Sequence, residues 1–428
     1  MRTRLSRRTF LKGAAALAVG PTILPASVFG QNAPSNRITM GIIGCGGRGR
    51  NHCSEIYHQR EQVQLLAYCD VNAAHRAKMH AMTHEMYQND DRAEYNDFRE
   101  LIARDDIDAV SIAVPDHWHA LIAVAAARAG KHLYSEKPLA YSIVEGRAMV
   151  DAVKESKVVF QHGTQQRSAE QYRHACDLAL NGYLGAVHTY KVGSPFGIQG
   201  GSTAPAPVPE GLDYDLWLGP APFHEYTDGR CSGDGGVGWY HIRDYSGGWI
   251  TAWGSHDLDI PQWANGTDHT GPVEVEGRAE FAANGVYDTA WKWHVESKYA
   301  DGKKLIYTSE DENPHGIRIE GSDGWVFVNR VVIKAEPESL LKIQFKPEDK
   351  RVAVSDSHFG NFFDCIRNGG TPVAHAEAAH RSTTIGHLCN IAARTGRKVQ
   401  WDPEKEQIVG DEEQAGMLAR PMRAPWKI

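Results

Sequence analysis

Residues 37–49 read RITMGIIGCGGRG, and this stretch decides how the chain begins to fold. The apolar run before Gly44 is typical of a buried β-strand, and the run after Gly49 is typical of a helix. Between them, Gly44, Gly46 and Gly49 have the spacing G-x-G-x-x-G, which suits a tight turn, close approach of a pyrophosphate and close helix–strand packing. The stretch therefore predicts a dinucleotide-binding turn with the helix N-terminus facing the phosphates.

A carboxylate follows at the distance that such a turn requires. The next apolar run, residues 63–69, leads directly into Asp70. An acid about 20 residues beyond the glycines accepts hydrogen bonds from the ribose hydroxyls of NAD and repels the 2′-phosphate of NADP. We therefore predict NAD as the cofactor. NADP is the alternative, because Arg76 lies nearby.

Strand-like and helix-like runs then alternate. Apolar runs at 109–114 and 131–135 enclose a helix-like run at 120–129. This alternation predicts a parallel sheet, which we assign to a Rossmann domain over residues 36–162. Ligands bind beyond the carboxyl ends of such strands, so the segments PDHWH at 115–119 and EKP at 136–138 are expected beside the glycine turn.

The first 30 residues look like an export signal. The pair Arg7-Arg8 precedes FLK at 10–12, an apolar stretch at 13–24 and a region of small residues. A basic start, an apolar centre and a small-residue end are typical of a signal peptide, and the paired arginines resemble a twin-arginine signal. We predict export to the periplasm or beyond. The alternatives are an amphipathic helix, disorder or an uncut anchor.

Composition excludes several classes of protein. The chain has 428 residues and a formal charge of −7, and removing the five positive charges of its first 30 residues takes that charge to −12. This balance argues against a nucleic-acid partner and favours a neutral or cationic ligand. The apolar stretch at 13–24 is too short for a good membrane span. Seven scattered cysteines without a C-x-x-C motif predict neither a disulfide framework nor a zinc site.

These motifs together resemble the Gfo/Idh/MocA family, the group of glucose–fructose oxidoreductase and inositol dehydrogenase. The matching segments follow the family's order: 44–49, Asp70, 114–119, 129–132, 136–138, 163–167 and 256–259. The resemblance implies an NAD(P)-dependent oxidoreductase with an α/β fold. Its N-terminal Rossmann domain is followed by an α/β domain with a large, mainly antiparallel open sheet. It also implies a homo-oligomer, a dimer or a tetramer.

The second half of the chain fits this expectation. Runs rich in β-branched and aromatic residues occur at 187–192, 273–282, 290–299, 305–308 and 324–332. The glycine- and proline-rich segment 193–238 is interpreted as an insertion that shapes either a ligand site or an oligomer contact. We assign residues 163–400 to a substrate-binding and oligomerisation domain, and residues 401–428 to a C-terminal tail.

The predicted cofactor contacts lie at the carboxyl edge of the first sheet. They are Gly44, Gly46, Gly47, Arg48, Gly49, Asp70, Pro115, His119, Glu136 and Lys137. Among them, Lys137 is also the predicted catalytic base. Oxidation of an alcohol requires loss of the hydroxyl proton as hydride leaves, and a desolvated lysine beside a nicotinamide cation has a lowered pKa and can accept that proton. Glu136 is expected to orient Lys137 or to set its charge.

His256 is the second predicted catalytic residue. Asp259 lies three residues later, so a shared helix face would let its carboxylate hold the imidazole tautomer, and we predict a catalytic role for both. In many dehydrogenases of the Gfo/Idh/MocA family, which the chain resembles, an aspartate lies four residues before the histidine. Ala252 occupies that position here. Either no acid is needed, or one such as Asp244 or Asp257 enters from elsewhere.

The predicted substrate contacts suit a carbohydrate, because amides and charged groups bind sugar hydroxyls and aromatic faces suit a pyranose ring. They are Gln165, Arg167, Tyr240, Arg243, Asp244, Trp253, His256 and His380. The alternative for each is a solvated loop residue or, for Trp253, a core residue. No metal is predicted, since neither His117-x-His119 beside Asp116 nor the pair His380/His387 completes a zinc motif.

The leading functional prediction is an exported NAD(P)-dependent oxidoreductase that acts on a hydroxyl of a sugar or glycoside. Its cofactor would be tightly held, because export separates it from the cytoplasmic supply. One alternative, which the resemblance implies, is a glycosidase or lyase, since some Gfo/Idh/MocA proteins are glycosidases of this kind. There, transient oxidation makes an adjacent C–H acidic, elimination cleaves the glycosidic bond and reduction restores the cofactor. Another is a non-catalytic carbohydrate-binding protein with structural NAD.

Overall fold

The structure, a computed structural model, describes residues 36–233 and 236–428, so the predicted signal at residues 1–30 lies outside the described residues. Its first sheet has six parallel strands within these ranges, in the order β3-β2-β1-β4-β5-β6. The strands are β1 (Ile38–Ile43), β2 (Val63–Cys69), β3 (Ala93–Tyr95), β4 (Ala109–Ile112), β5 (His132–Ser135) and β6 (Phe160–His162). Strand order reverses between β1 and β4, which is where such sheets bind ligands.

Helices connect these strands. They are α1 (Gly47–His58), α2 (Ala73–Tyr87), α3 (Phe98–Ile102), α4 (Asp116–Arg128) and α5 (Ile143–Ser156). The predicted Rossmann fold is confirmed. Helices α1 and α4 begin at the carboxyl ends of β1 and β4, the two strands between which the strand order reverses. The glycine turn and the PDHWH segment therefore lie side by side.

The second sheet contains nine strands among the described residues, in the order β13-β12-β11-β7-β10-β9-β8-β14-β15. The strands are β7 (Val187–Ser194), β8 (Glu274–Phe281), β9 (Ala290–Lys298), β10 (Lys304–Ser309), β11 (Gly316–Gly321), β12 (Gly324–Val328), β13 (Ile333–Glu336), β14 (Val399–Asp402) and β15 (Gln407–Ile408). Its neighbouring strands are antiparallel except β7 and β10, so the predicted mainly antiparallel sheet is confirmed.

Helices of the second half pack between and beside the sheets. They are α6 (Glu170–Leu180), α7 (Tyr214–Leu218), α8 (Trp249–Ala252), α9 (Gly254–Asp257), α10 (Asp259–Asn265), α11 (His358–Asn368), α12 (Ala376–Thr395) and α13 (Glu412–Gly416). The long helix α12 contacts α5 on one side and strands β8 and β9 on the other, so it joins the two halves. None of the helices in the described part of the chain has the length and hydropathy to cross a membrane.

The core of the first sheet is completed by residues from far along the chain. Phe359, Phe362 and Phe363 of α11 pack into it, and the Phe359 ring stacks on Tyr134 at 3.9 Å between centroids. Near the C-terminus, the Trp426 ring meets Trp118 edge-on at 4.7 Å. The hydrophobic core of the nucleotide-binding half therefore draws on the last 70 or so residues of the sequence.

The described residues of the glycine- and proline-rich segment and those that directly follow it, 193–233 and 236–246, are called the insertion below, and they fold onto the first domain through main-chain hydrogen bonds. The amide of Ala73 donates to Gly211 O at 2.9 Å, and the amide of His117 donates to Tyr245 O at 3.1 Å. Behind these contacts lies an aromatic cluster of the insertion, formed by Tyr214, Trp217, Leu218, Ala221, Trp239, Ile242 and Tyr245. The insertion thus forms a wall beside the glycine turn.

Candidate active site

The three motif glycines occupy three different environments. Gly44 has φ +97°, and a Cβ on it would lie 2.2 Å from the carbonyl oxygen of Ala113. A Cβ on Gly49 would lie 1.8 Å from Gly44 O, whereas one on Gly46 would meet nothing within 4 Å. Gly44 is therefore needed for the turn and Gly49 for packing, while Gly46 leaves open space in front of the N-terminus of α1. That open space is what a pyrophosphate needs.

Asp70 is fixed at the other end of the turn. Its Oδ2 accepts a hydrogen bond from the amide of Cys45 at 2.7 Å, and its Oδ1 accepts one from the amide of Asn72 at 2.8 Å. The Arg76 guanidinium donates to Asp70 O at 2.5 Å and to Asn96 Oδ1 at 3.1 Å. Asp70 is thus held rigidly at the cavity wall, and Arg76 is engaged by neighbouring oxygens.

A cavity of about 530 Å³ extends from Asp70 to Lys137 along the glycine turn. Its far wall is the insertion, which contributes Pro209, Leu212, Leu216, Trp217, Tyr226, Gly229, Cys231, Ser232, Gly233, Trp239 and Tyr240. Pro115, Gly47 and Arg48 also line it. A cavity of this size is within the range that holds small-molecule ligands. Eight of the ten predicted cofactor contacts therefore line one cavity, and Gly49 and His119 do not.

His119 is an exception among those predicted contacts. Its ring nitrogens lie 2.6 Å from Pro138 O and 2.9 Å from Val114 O, and the side chain is fully buried. The imidazole thus joins the two strand ends and does not line the cavity. The prediction of a cofactor contact is wrong here, because both nitrogens are occupied by main-chain oxygens.

Glu136 is held as an anion at the end of β5. Its Oε1 accepts a hydrogen bond from Arg48 Nε at 2.6 Å and lies 3.0 Å from His52 Nε2. Burial raises the pKa of this carboxyl, but the charge of Arg48 and the hydrogen bond of His52 outweigh burial and hold the pKa well below its usual range. Glu136 therefore supplies a fixed negative charge beside Lys137.

Lys137 and His256 belong to the same site. Burial lowers the pKa of Lys137, although the charges of Glu136 and Asp116 oppose that effect. The Nζ atom lies 5.6 Å from the ring centre of Tyr240. Burial also holds the pKa of His256 well below its usual range, and the positive charge of Lys137 lowers it further. The site therefore combines an imidazole whose neutral form is favoured with a lysine that loses its proton more readily than an exposed lysine does.

The predicted pairing of Asp259 with His256 is wrong. Asp259 accepts two hydrogen bonds at 2.7 Å from Nε and Nη2 of Arg167, and Arg167 also binds Asp268 at 2.8 and 2.9 Å. Both Arg167 and Asp259 are buried. The neighbour of His256 is instead Thr164, whose Oγ1 lies 3.4 Å from Nδ1. Arg167 therefore serves a buried ion pair, and its predicted contact with substrate is wrong for the same reason.

Three further predicted substrate residues have partners elsewhere. Asp244 pairs with His224 at 2.8 Å, and His380 lies fully buried 3.0 Å from Glu406. The amide of the exposed Arg243 donates to Asp288 at 2.7 Å. None of these three residues is among the described residues that line the cavity or a second cavity next to it.

Gln165, Tyr240 and Trp253 do lie at the site. The Gln165 side chain donates to the hydroxyl of Tyr134 at 3.1 Å, and the Trp253 ring centre lies 5.9 Å from that of His256. Gln165 lines a second cavity of about 510 Å³. Arg48 lines both cavities, so the Arg48–Glu136 pair stands between them.

Sequence reasoning missed the role of Asp116, at the start of α4. The side chain is fully buried, and Oδ2 accepts a hydrogen bond from Ser246 at 2.6 Å while Oδ1 has no hydrogen-bond partner among the described residues. Burial raises the pKa of Asp116 to about 6. The sequence did offer a signal for this residue, because the PDHWH segment that contains Asp116 was expected beside the EKP segment at the sheet edge. In the structure, the charge of Asp116 acts on Lys137 of that segment.

The other acids considered for this place are engaged. Asp257 accepts a hydrogen bond from Ser194 at 2.6 Å and lies 3.4 Å from His315, and Asp244 is paired as described above. Asp116 is instead an aspartate whose charge acts on Lys137.

Two family descriptions match the chain. Residues 38–164 match the NAD-binding Rossmann fold of the Gfo/Idh/MocA oxidoreductase family, and residues 196–428 match that family's C-terminal alpha/beta domain. The chain belongs to the Gfo/Idh/MocA family. This Gfo/Idh/MocA protein is therefore an oxidoreductase whose first domain binds NAD, and the open space at Gly46 and the cavity beside it fit that cofactor.

Curated relatives match only part of their length. A glycosyl hydrolase family 109 protein of Shewanella sp. (strain W3-18-1) is 33% identical over 178 residues, covering 36% of this chain and 38% of the relative. The uncharacterized oxidoreductase YrbE of Bacillus subtilis (strain 168) is 28% identical over 262 residues, covering 60% of this chain and 63% of the relative.

Solved structures share the fold over nearly their whole length. The WlbA dehydrogenase from Bordetella pertussis, in complex with NADH and UDP-GlcNAcA, has a TM-score of 0.63 and 18% identity, covering 86% of this Gfo/Idh/MocA chain and 99% of its own. The aldose-aldose oxidoreductase from Caulobacter crescentus has a TM-score of 0.62 and 19% identity, covering 85% and 99%.

Proposed function

We propose that the protein oxidises a hydroxyl of a sugar or glycoside and keeps its NAD bound between turnovers. The observation that carries the proposal is the position of Lys137 and His256. Lys137 lines the cofactor cavity, its positive charge acts on the buried His256, and burial lowers the pKa of both groups. Alcohol oxidation needs this combination of a base and a neutral hydrogen-bonding group beside a hydride acceptor.

The residues have distinct tasks in this reaction. NAD, when bound, supplies the hydride acceptor. The neutral amine of Lys137 takes the hydroxyl proton, and the imidazole of His256 aligns the same oxygen. The ammonium formed on Lys137 is then stabilised by the fixed charge of Glu136 and by Asp116. Because burial raises the pKa of Asp116 to about 6, its carboxylate can also hold the proton.

Retention of the cofactor is supported by the insertion. Trp217, Trp239 and Tyr240 wall the cavity, and the insertion is tied to the C-terminal tail where Arg423 Nε donates to Gly219 O at 2.9 Å. We expect this wall to slow the release of a dinucleotide. A cofactor that stays bound must be reoxidised in place, by a second sugar or by a later step on the same substrate.

Analysis of the purified protein tests the proposal. Denaturation should release about one NAD per chain, and addition of a reactive sugar to the native protein should change absorbance at 340 nm. Lys137→Met should retain NAD but show no absorbance change, whereas the exposed control Lys154→Met should behave as wild type. Sugar binding with a silent 340 nm band across all sugars would overturn the proposal in favour of a binding protein.

A glycosidase that works through transient oxidation is the second candidate. It is favoured by the similarity to the glycosyl hydrolase family 109 proteins and by Ala252, which departs from the pattern of many dehydrogenases. Its signature would be release of aglycone from a glycoside without accumulation of NADH. Accumulation of NADH without aglycone would exclude it.

Export remains a proposal that rests on Arg7 and Arg8. Fractionation of the source cells should recover the mature protein outside the cytoplasm, and replacement of both arginines by lysine should leave it inside. Equal distribution of the two forms would contradict export by the twin-arginine route.

A further inference from the structure

The wall of the second cavity includes an exposed arginine, Arg330, that has no ionic partner among the described residues. Arg330 lies in the turn between β12 and β13 and lines this cavity with Gln165, Gln166 and Gln171. Within residues 36–233 and 236–428, no carboxylate lies within ion-pair distance of its guanidinium. The guanidinium carbon lies 5.1 Å from the ring centre of Trp253, so the indole face orients the planar group.

Arg330 is close enough to influence both predicted catalytic groups. Burial is the main cause of the lowered pKa of Lys137 and of His256, and the charge of Arg330 contributes to both shifts. Trp253 links it to the same place, because the ring centres of Trp253 and His256 are 5.9 Å apart. A ligand group bound to Arg330 would therefore lie beside Trp253, the residue that also adjoins His256.

The other charges around this cavity are largely matched. Arg48 pairs with Glu136 at 2.6 Å, and Asp356 pairs with Arg173 at 3.1 Å. Glu55, the other acid of the lining, acts on Arg48. Among the described residues that line the second cavity, Arg330 is thus the cation that no carboxylate pairs with. The net negative charge of the whole chain acts against an anion only at long range, and salt screens it beyond about 8 Å.

We propose that the substrate carries a carboxylate, as a uronic acid or its glycoside does, and that Arg330 binds this group. The inference rests on the proposed function and names its substrate class. A guanidinium presents paired N–H donors that match the two oxygens of a carboxylate. The amides of Gln165 and Gln171 then suit the hydroxyls of the same sugar.

Binding measurements on the NAD-loaded protein test this inference without requiring turnover. Titration calorimetry should compare glucuronate with glucose and galacturonate with galactose, as free sugars and as methyl glycosides. We expect at least one uronate to bind about tenfold or more tightly than its neutral partner. Arg330→Met should remove that preference by weakening uronate binding ~10- to 100-fold, and leave neutral sugars unchanged.

Two further variants sharpen the test. Arg330→Lys keeps the charge but loses the paired donors, so it should restore only part of the affinity. Arg318 is a matched control because its guanidinium also stacks on a tryptophan, Trp325, at 3.9 Å, but pairs with Glu320 at 2.7 Å. Arg318→Met should therefore leave uronate binding unchanged.

The outcomes separate the two proposals. Neutral sugars that bind as tightly as every uronate, or an Arg330→Met protein that loses affinity for both kinds equally, would overturn the carboxylate site. If those results accompany a change at 340 nm with neutral sugars, the oxidoreductase proposal stands. If uronates bind through Arg330 while the 340 nm band stays silent, the site stands and the redox reaction fails.

Discussion

Replacement of Asp116 by asparagine should change how stability depends on pH. The folded protein binds the proton of this carboxyl more tightly than the unfolded chain does, because burial raises its pKa to about 6 from 3.8. Its contribution to stability is therefore fully present below about pH 4 and is lost as the pH rises through 6. The asparagine side chain does not ionise, so this loss should disappear in the variant.

The size of the effect follows from the two pKa values. A change from 3.8 to about 6 corresponds to ~3 kcal/mol of unfolding free energy lost above pH 7. About half of that is already lost at pH 5, since the unfolded carboxyl is mostly ionised there. Between pH 5 and pH 8 the wild type should therefore lose ~1.5 kcal/mol more than Asp116→Asn. If the buried asparagine amide lowers the unfolding free energy equally at both pH values, that effect cancels when the change between pH 5 and pH 8 is compared.

Thermal unfolding at pH 5 and pH 8, at matched cofactor content, measures this difference. The exposed Asp151 provides the control, because Asp151→Asn should follow the wild-type pH dependence. Activity should respond as well. Loss of the negative charge at position 116 lowers the pKa of Lys137 further, so the acid limb of the pH–rate profile should move to lower pH. Parallel stability curves for wild type and Asp116→Asn would refute the reasoning.

Three other substitutions probe the cavity and its support. Gly46→Ala should leave the melting temperature unchanged and weaken NAD binding about tenfold or more, because its methyl would enter the open space at the turn, whereas Gly49→Ala should destabilise the fold. A lower melting temperature for Gly46→Ala than for Gly49→Ala would contradict this. Arg167→Met should cost about 3–5 kcal/mol of stability by leaving buried carboxylates unpaired. A stable variant with reduced sugar affinity would restore the substrate role of Arg167. Trp239→Ala should open the cavity wall and speed release of NAD, measured by dilution into a scavenging enzyme. An unchanged rate would show that the insertion does not limit release.

The nucleotide-binding half could be predicted because its signals are local. The positions of Gly44, Gly46 and Gly49 fix a turn through main-chain sterics, and Asp70 follows at a distance set by one helix and one strand. The place of Lys137 at the cavity could be predicted in the same way, since the linear pattern defines the end of a parallel strand, whereas its catalytic role stays a prediction.

The pairing of His256 with Asp259 failed because it assumed one continuous helix. The structure ends α9 at Asp257 and begins α10 at Asp259, and a distant arginine binds the second carboxylate. Asp116 was missed for a related reason. Its burial depends on Ser246, which lies 130 residues away in the insertion. Contacts between remote segments leave no periodic trace in the sequence.

The late aromatic residues in the core of the first sheet have a consequence for synthesis. Phe359, Phe362, Phe363 and Trp426 leave the ribosome long after the six strands they cover. We expect a fragment that stops at residue 162 to expose apolar surface and to fail as an isolated nucleotide-binding unit. We therefore expect this half to become stable, and to take up its cofactor, only after residues 359–426 have been synthesised.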